Sequence, residues 1–213
     1  NDGSYYETQN YAITESHEPG STFKLVDLIA VLDDKKADTS KIYDSKGGVI
    51  EYYGRKVRDS KPGGYGKISL ARGFELSSNT VLVQSVYDSY KNNPKQFVDR
   101  INSYGLNKPL GLPIKGEGKP VIPQPGTNRW SGVALPWMAF GYGLSVTPLQ
   151  TLTLYNAVAN NGVMVKPIFV SEIKEWNKTI KKYNTEVINP KICSQETLDK
   201  VQAVLENVVK KGT

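Results

Sequence analysis

The chain has 213 residues, 38% of them hydrophobic, with 27 Lys and Arg against 21 Asp and Glu. That supplies apolar material for one core and excludes a disordered or low-complexity chain. The net charge of +6 comes from lysines spread over the whole sequence, so no basic run points to a nucleic acid; the single cysteine, Cys193, excludes an internal disulfide and a cysteine-rich metal cluster, and the single histidine, His17, suits neither a Ser-His-Asp triad nor a multi-histidine metal site. No apolar run reaches the ~18 residues of a membrane-spanning helix.

In chain order, Pro19-Gly20 prepares a tight turn into an apolar helical run, Phe23 to Leu32, which Asp33-Asp34-Lys35-Lys36 closes with solvated charge. Alternation around Gly47-Gly48 and Gly54 predicts short hairpins between Lys41 and Arg58, and the segment from Lys61 to Gly66 reads as a surface turn. Ile68, Leu70, Ala71 and Phe74 predict a short helix that delivers Ser77-Ser78-Asn79 to a loop, followed by a helix carrying Val81, Leu82, Val83 and Val86. Another helix is predicted after Pro94, from Lys95 to Tyr104, with Gly105 as its stop. Residues 105–136, with six prolines, read as one long, rigidly punctuated loop. Thr147-Pro148 opens a helix with Leu149, Leu152, Leu154 and Val158 turned inward. Val163 to Lys182 reads as strand with a charged turn near Asn177, and Ser194 caps a final amphipathic helix bearing Leu198, Val201, Val204, Leu205 and Val208.

The chemistry-bearing residues cluster at two of these junctions. Ser21 and Lys24 are three apart at the start of the first apolar helix, which puts them on one face, a turn from each other. A hydroxyl beside an amine kept neutral by its surroundings is a nucleophile beside a base. The free backbone N–H groups at a helix start can also face a developing negative oxygen. Alone, S-x-x-K describes equally well a helix cap followed by a solvated lysine. It does not stand alone: 56 residues on (77 minus 21), Leu76-Ser77-Ser78-Asn79-Thr80 supplies an S-x-N. S-x-x-K belongs, with S-D-N and K-T-G, to a shared set of motifs in penicillin-binding proteins and serine β-lactamases; the middle residue here is Ser78, not Asp.

Asn10-Tyr11-Ala12-Ile13-Thr14 running into Glu18-Pro19-Gly20-Ser21-Thr22-Phe23-Lys24 resembles the catalytic approach of class B penicillin-binding proteins. Phe140-Gly141-Tyr142-Gly143-Leu144-Ser145-Val146-Thr147-Pro148-Leu149-Gln150, continued by Ala157 to Gly162, is similar to a segment of that family and unlike the small β-lactamases. The resemblance runs from about Asn10 to the end of the chain.

The resemblance implies an α+β fold of the penicillin-binding and serine β-lactamase type, represented mostly by its helical part. It further implies that Ser21 attacks the D-Ala-D-Ala bond of a peptidoglycan stem peptide, that Lys24 accepts its proton, that Ser77 passes the proton to the leaving amine, and that Asn79 holds Lys24 or the substrate amide. Tyr142 is a candidate for the pocket wall. β-Lactams, which copy the terminal dipeptide, would acylate Ser21. Other division or elongation proteins are the implied partners, no cofactor or metal is implied, and the implied location is the outer side of the bacterial cytoplasmic membrane. A hydrolytic or β-lactam-sensing acyl-serine protein and a non-catalytic interaction module are the alternatives. Lys211-Gly212-Thr213 is K-G-T rather than K-T-G and reads as a helix end. The whole, 1–213, is therefore expected to be one truncated transpeptidase domain. Its first strands, its K-T-G strand and a membrane anchor are expected to belong to the parent chain. Nearly all acylating activity would be missing from the piece, and an unpaired edge near Val163–Val170 would be free to recruit another copy.

Overall fold

The computed structural model describes residues 3–4 and 9–212; Asn1, Asp2 and Thr213, which figure in the readings of the two chain ends, lie outside them. The body is mainly helical. A short helix α1 (Tyr11–Thr14) precedes a 3-10 turn over Gly20–Phe23, which runs straight into α2 (Lys24–Asp33). Leu25, Val26, Leu28, Ile29, Ala30 and Val31 of α2 are all buried, so this helix is buried around its whole circumference and forms the axis of the core.

The next segment holds four short strands, β1 (Ile42–Asp44), β2 (Val49–Tyr52), β3 (Arg55–Arg58) and β4 (Lys67–Ser69). β2 and β3 make the expected hairpin about Gly54, but β1 pairs with β4, closing the Lys61–Gly66 turn region into the ladder's connection. Then come α3 (Leu70–Glu75), α4 (Asn79–Tyr90) and α5 (Pro94–Ser103), each close to its predicted place. Val81, Leu82, Val83 and Val86 of α4 and Phe97, Val98 and Ile101 of α5 complete the packing around α2.

The long loop ends in α6 (Ala134–Met138), slightly before the sequence pattern suggested, because Pro136 is accommodated in the first turn of this helix. α7 (Pro148–Ala159) opens with a full capping box: the Thr147 hydroxyl takes the Gln150 N–H, and the Gln150 side chain takes the Thr147 N–H. Leu154 and Val158 point inward as expected, but Leu152 is 61% exposed, since Thr153 and Ala157 occupy the buried stripe instead. The predicted long strand is broken into β5 (Met164–Val165), β6 (Glu172–Glu175) and β7 (Lys178–Lys182), the last two joined by a turn at Trp176-Asn177 that the charged Glu175 and Lys178 flank. β5 is paired by β8 (Val187–Asn189), so the first part of the expected free edge is covered, while Ile168, Phe169 and Val170 are exposed. α8 (Gln195–Lys211) is capped by Ser194 and packs Leu198, Val201 and Val204 against the core.

One sequence expectation is overturned at the far end of α2. Asp33 and Asp34 are not solvated: the Arg100 guanidinium bridges them, bonding Asp33 Oδ2 at 2.9 Å through Nη1 and Asp34 Oδ1 at 2.7 Å through Nε. The Tyr90 hydroxyl donates to Asp34 Oδ2 at 2.8 Å, and Asp33 Oδ1 accepts the Ser194 N–H at 2.8 Å. This network ties α2, α4, α5 and α8 together, and each buried carboxylate is satisfied.

Candidate active site

The turn that carries Ser21 is held between the chain before it and the Gly-rich segment after α6. His17 and Val146 exchange backbone hydrogen bonds at 3.1 Å each, Glu18 Oε1 accepts the Gly143 N–H at 2.8 Å, and the Gly20 N–H donates to the Gly141 carbonyl at 3.0 Å. Gly20 (φ +58°) supplies the left-handed step into the 3-10 turn. Gly141 (φ +80°) lies so close that a Cβ there would overlap the Gly20 backbone, 2.6 Å from its N and C atoms. The two sequence blocks that carry the resemblance are therefore one spatial unit. Ser21 itself is exposed, and the Tyr155 hydroxyl pins the turn by donating to the Thr22 carbonyl at 3.1 Å.

Lys24, one turn further on, is 1% exposed, and its Nζ donates to the Ser77 carbonyl at 2.7 Å and to the Ser77 Oγ at 3.0 Å. Burial pushes its pKa down to about 8, against the pull of Asp27 and Asp59, which favour the charged form. The amine is thus held by Ser77 rather than by the Ser21 hydroxyl; catalytic contacts of this kind are often loose without substrate.

Ser77 reaches Lys24 because its backbone is left-handed, φ +51°, an uncommon conformation for a residue with a Cβ. The turn is secured by the Ser77 N–H to Phe74 (2.9 Å) and the Ser78 N–H to Gly73 (2.8 Å). Gly73 faces Val81 so closely that a Cβ would come within 2.8 Å of the valine Cβ, which lets α3 and α4 meet tightly at the turn. Ser78 caps α4 by accepting the Val81 N–H at 3.2 Å and donates to Asp59 at 3.1 Å. Asp59 also takes the Thr80 N–H (2.9 Å) and hydroxyl (2.8 Å), which moors this corner to the β2–β3 hairpin side.

The structure departs from expectation at Asn79. It is the first residue of α4 rather than part of a loop, and its Nδ2 donates to the Arg58 carbonyl at 2.7 Å, away from Lys24. Capping by Ser78 fixes the helix start one residue earlier in the motif than the sequence pattern suggested. Tyr142 is 42% exposed, its ring 4.9 Å from that of Phe140, next to the glycines that grip the serine turn. Of Lys211-Gly212-Thr213, the first two are described: α8 ends at Lys211 and Gly212 caps it, its N–H donating to the Val208 carbonyl at 2.9 Å.

Sequence reasoning passed over Asp59 and Asp27, and quoted Glu18 and Gly141 in their motif blocks without giving them a role. Asp27 had a visible signal, a lone acid inside an otherwise apolar run three residues from Lys24. Among the described residues, no group of three or more His, Cys, Asp and Glu is arranged to hold a metal.

A family model described as "Penicillin binding protein transpeptidase domain" matches residues 1–213. Stage V sporulation protein D of Bacillus subtilis is 29% identical over 212 residues, covering 96% of this chain and 31% of that protein. Peptidoglycan D,D-transpeptidase FtsI of Escherichia coli is 28% identical over 167 residues, 78% of this chain and 26% of that protein. Among solved structures, the D,D-transpeptidase domain of a peptidoglycan glycosyltransferase from Eggerthella lenta superposes with a TM-score of 0.86 at 26% identity, covering 99% of this chain and 53% of that one. Penicillin binding protein 3 of Mycobacterium tuberculosis, complexed with ampicillin, superposes with a TM-score of 0.80 at 26% identity, covering 95% and 43%. The chain spans less than a third of the length of these two curated relatives.

Proposed function

The chain belongs to the penicillin binding protein transpeptidase domain family, and from that premise we propose that Ser21 is the nucleophile of a peptidoglycan D,D-transpeptidase, with Lys24 as its base. The observation that carries this reading is the buried Lys24 amine held on Ser77, one helical turn from an exposed serine. A pKa of about 8 leaves a useful fraction of free amine near neutral pH while keeping it basic enough to take a hydroxyl proton.

As Ser21 Oγ bonds to the carbonyl carbon of the penultimate D-Ala, its proton passes to Lys24 Nζ. When the amide C–N bond breaks, the Ser77 hydroxyl donates to the departing D-Ala nitrogen and is re-protonated from Lys24, the two atoms being 3.0 Å apart. The acyl group then goes to an amino group of a second stem peptide, whose proton returns along the same path. The Ser21 N–H, at the unsatisfied start of the 3-10 turn, is one donor for the oxyanion. Asn79 and Tyr142 belong to this reading as contacts for the substrate amide and the pocket wall.

Penicillin binding protein 3 of Mycobacterium tuberculosis is complexed with ampicillin and with aztreonam, which supports β-lactams as acylating ligands of this chain. A β-lactam ring opens on Ser21 in the same way, but its leaving nitrogen stays tethered, so the adduct persists. This chemistry belongs outside the cytoplasmic membrane, where stem peptides are cross-linked, and division or elongation proteins are its partners. Among the described residues no helix is long and apolar enough to cross a membrane.

The test is adduct mapping. The full-length protein, treated with benzylpenicillin and digested, should carry the penicilloyl mass on the peptide containing Ser21. An adduct on another residue, or none, would refute the assignment.

A further inference from the structure

Asp27 is three residues beyond Lys24 on α2, on the same side of the helix. It is 0% exposed, and neither Oδ1 nor Oδ2 meets a hydrogen-bond donor among the described residues. Its helical neighbours Leu25, Val26, Leu28 and Ile29 are buried and apolar, so packing alone would favour an apolar residue here. Burial drives its carboxyl well above the usual range, and Lys24 is the charge that opposes this.

Several other charged groups on the elements around α2 are engaged elsewhere. Asp59, which also acts on Lys24, is bonded to Ser78 and Thr80. Arg100 of α5 is taken by Asp33 and Asp34, Asp88 of α4 by Lys91, Glu75 of α3 by Arg72, and Lys200 of α8 by Asp38 and Glu196. The turn before α4 brings only the neutral hydroxyl and carbonyl of Ser77 to the lysine.

We propose that Asp27 is a positioning residue for the proton on Lys24: the two buried side chains titrate as one unit, and the Asp27 carboxylate keeps Lys24 from becoming too weak a base to accept the proton of Ser21. Burial by itself can lower a lysine pKa to about 5–6, and a base that weak takes a hydroxyl proton poorly. A buried carboxylate without hydrogen-bond donors is stabilised mainly by the field of the Lys24 ammonium one helical turn away, so the two titrations are coupled. The inference rests on the assignment of Lys24 as the base, but the coupling can be measured without catalysis.

The experiment uses full-length wild type, Asp27→Asn and Asp27→Leu. The rate of acylation by a fluorescent penicillin is followed against pH, and the Lys24 Cε resonance, assigned by its loss in Lys24→Met, is titrated by NMR. In both Asp27 variants the acid limb of the rate profile and the Lys24 midpoint should move to lower pH by on the order of one unit, and the plateau rate should fall. An unmoved midpoint, even with altered stability, would overturn the proposal, as would folded variants inert at every pH. If neither variant folds, wild type decides: the Asp27 Cγ resonance should respond through the Lys24 midpoint, and a flat response overturns the coupling. Absence of any acylation in wild type, with the NMR coupling intact, would instead refute the proposed function.

Discussion

Ser21→Ala will lower the rate of covalent penicillin labelling of the full-length protein by roughly 10⁴–10⁶, into the background. The size follows from the lack of a substitute. Thr22 donates its hydroxyl to the Pro19 carbonyl at 2.8 Å, Ser77 is engaged with Lys24, and Cys193 is buried with its thiol pushed up to about 11 by burial. None of these groups is both exposed and beside the base. Lys24→Met keeps the nucleophile and removes the base, so its loss should be smaller, about 10²–10⁴. The check is a time course of labelling beside thermal melts. A Ser21→Ala protein that labels at the wild-type rate would show that the nucleophile lies elsewhere.

Gly141→Ala should be the most damaging single methyl group in the molecule. The added carbon would overlap the Gly20 carbonyl, backbone rather than a side chain that could turn aside, and the φ of +80° disfavours any Cβ. Either the Gly20–Gly141 hydrogen bond breaks or the Ser21 turn moves off its helix axis. We expect a loss of about 3–4 kcal/mol in stability and at least a hundredfold loss in labelling, since small displacements of a nucleophile are costly. Gly126→Ala is the control: its φ is +84°, but nothing lies within 4 Å of the added carbon, so only backbone strain of about 1 kcal/mol applies. Equal melting temperatures for the two variants would remove the close approach as the cause.

What was legible in the sequence was local. Pro94, Thr147-Pro148 and Ser194 carry their own capping chemistry, so the helices they start fell where the pattern put them. The one-turn separation of Ser21 and Lys24 follows from their spacing, but not that Ser21 sits in the 3-10 turn before α2 while Lys24 bonds to Ser77. Hidden features were those decided at long range. Asp33 and Asp34 look like a solvated stop until Arg100 arrives from 66 residues away, and β1 prefers β4 over its nearest hairpin neighbour. Ser77 was marked by its motif, but not the left-handed backbone that aims it, and Asn79 faces Arg58 because Ser78 takes the cap.

The contact between Glu18 and Gly143 spans 125 positions of sequence, and it lies in the same seam as the Gly20–Gly141 and His17–Val146 bonds. In kinetic terms that seam is a large loop closure, slow relative to helix formation. α2 can coil and bury its apolar sides against α4 and α5 while the nucleophile's turn is still unset. A refolding chain would then regain its helical circular dichroism first and its capacity to be labelled by penicillin later, passing through a stage that has a core but no enzyme; simultaneous recovery of the two signals would exclude such a stage.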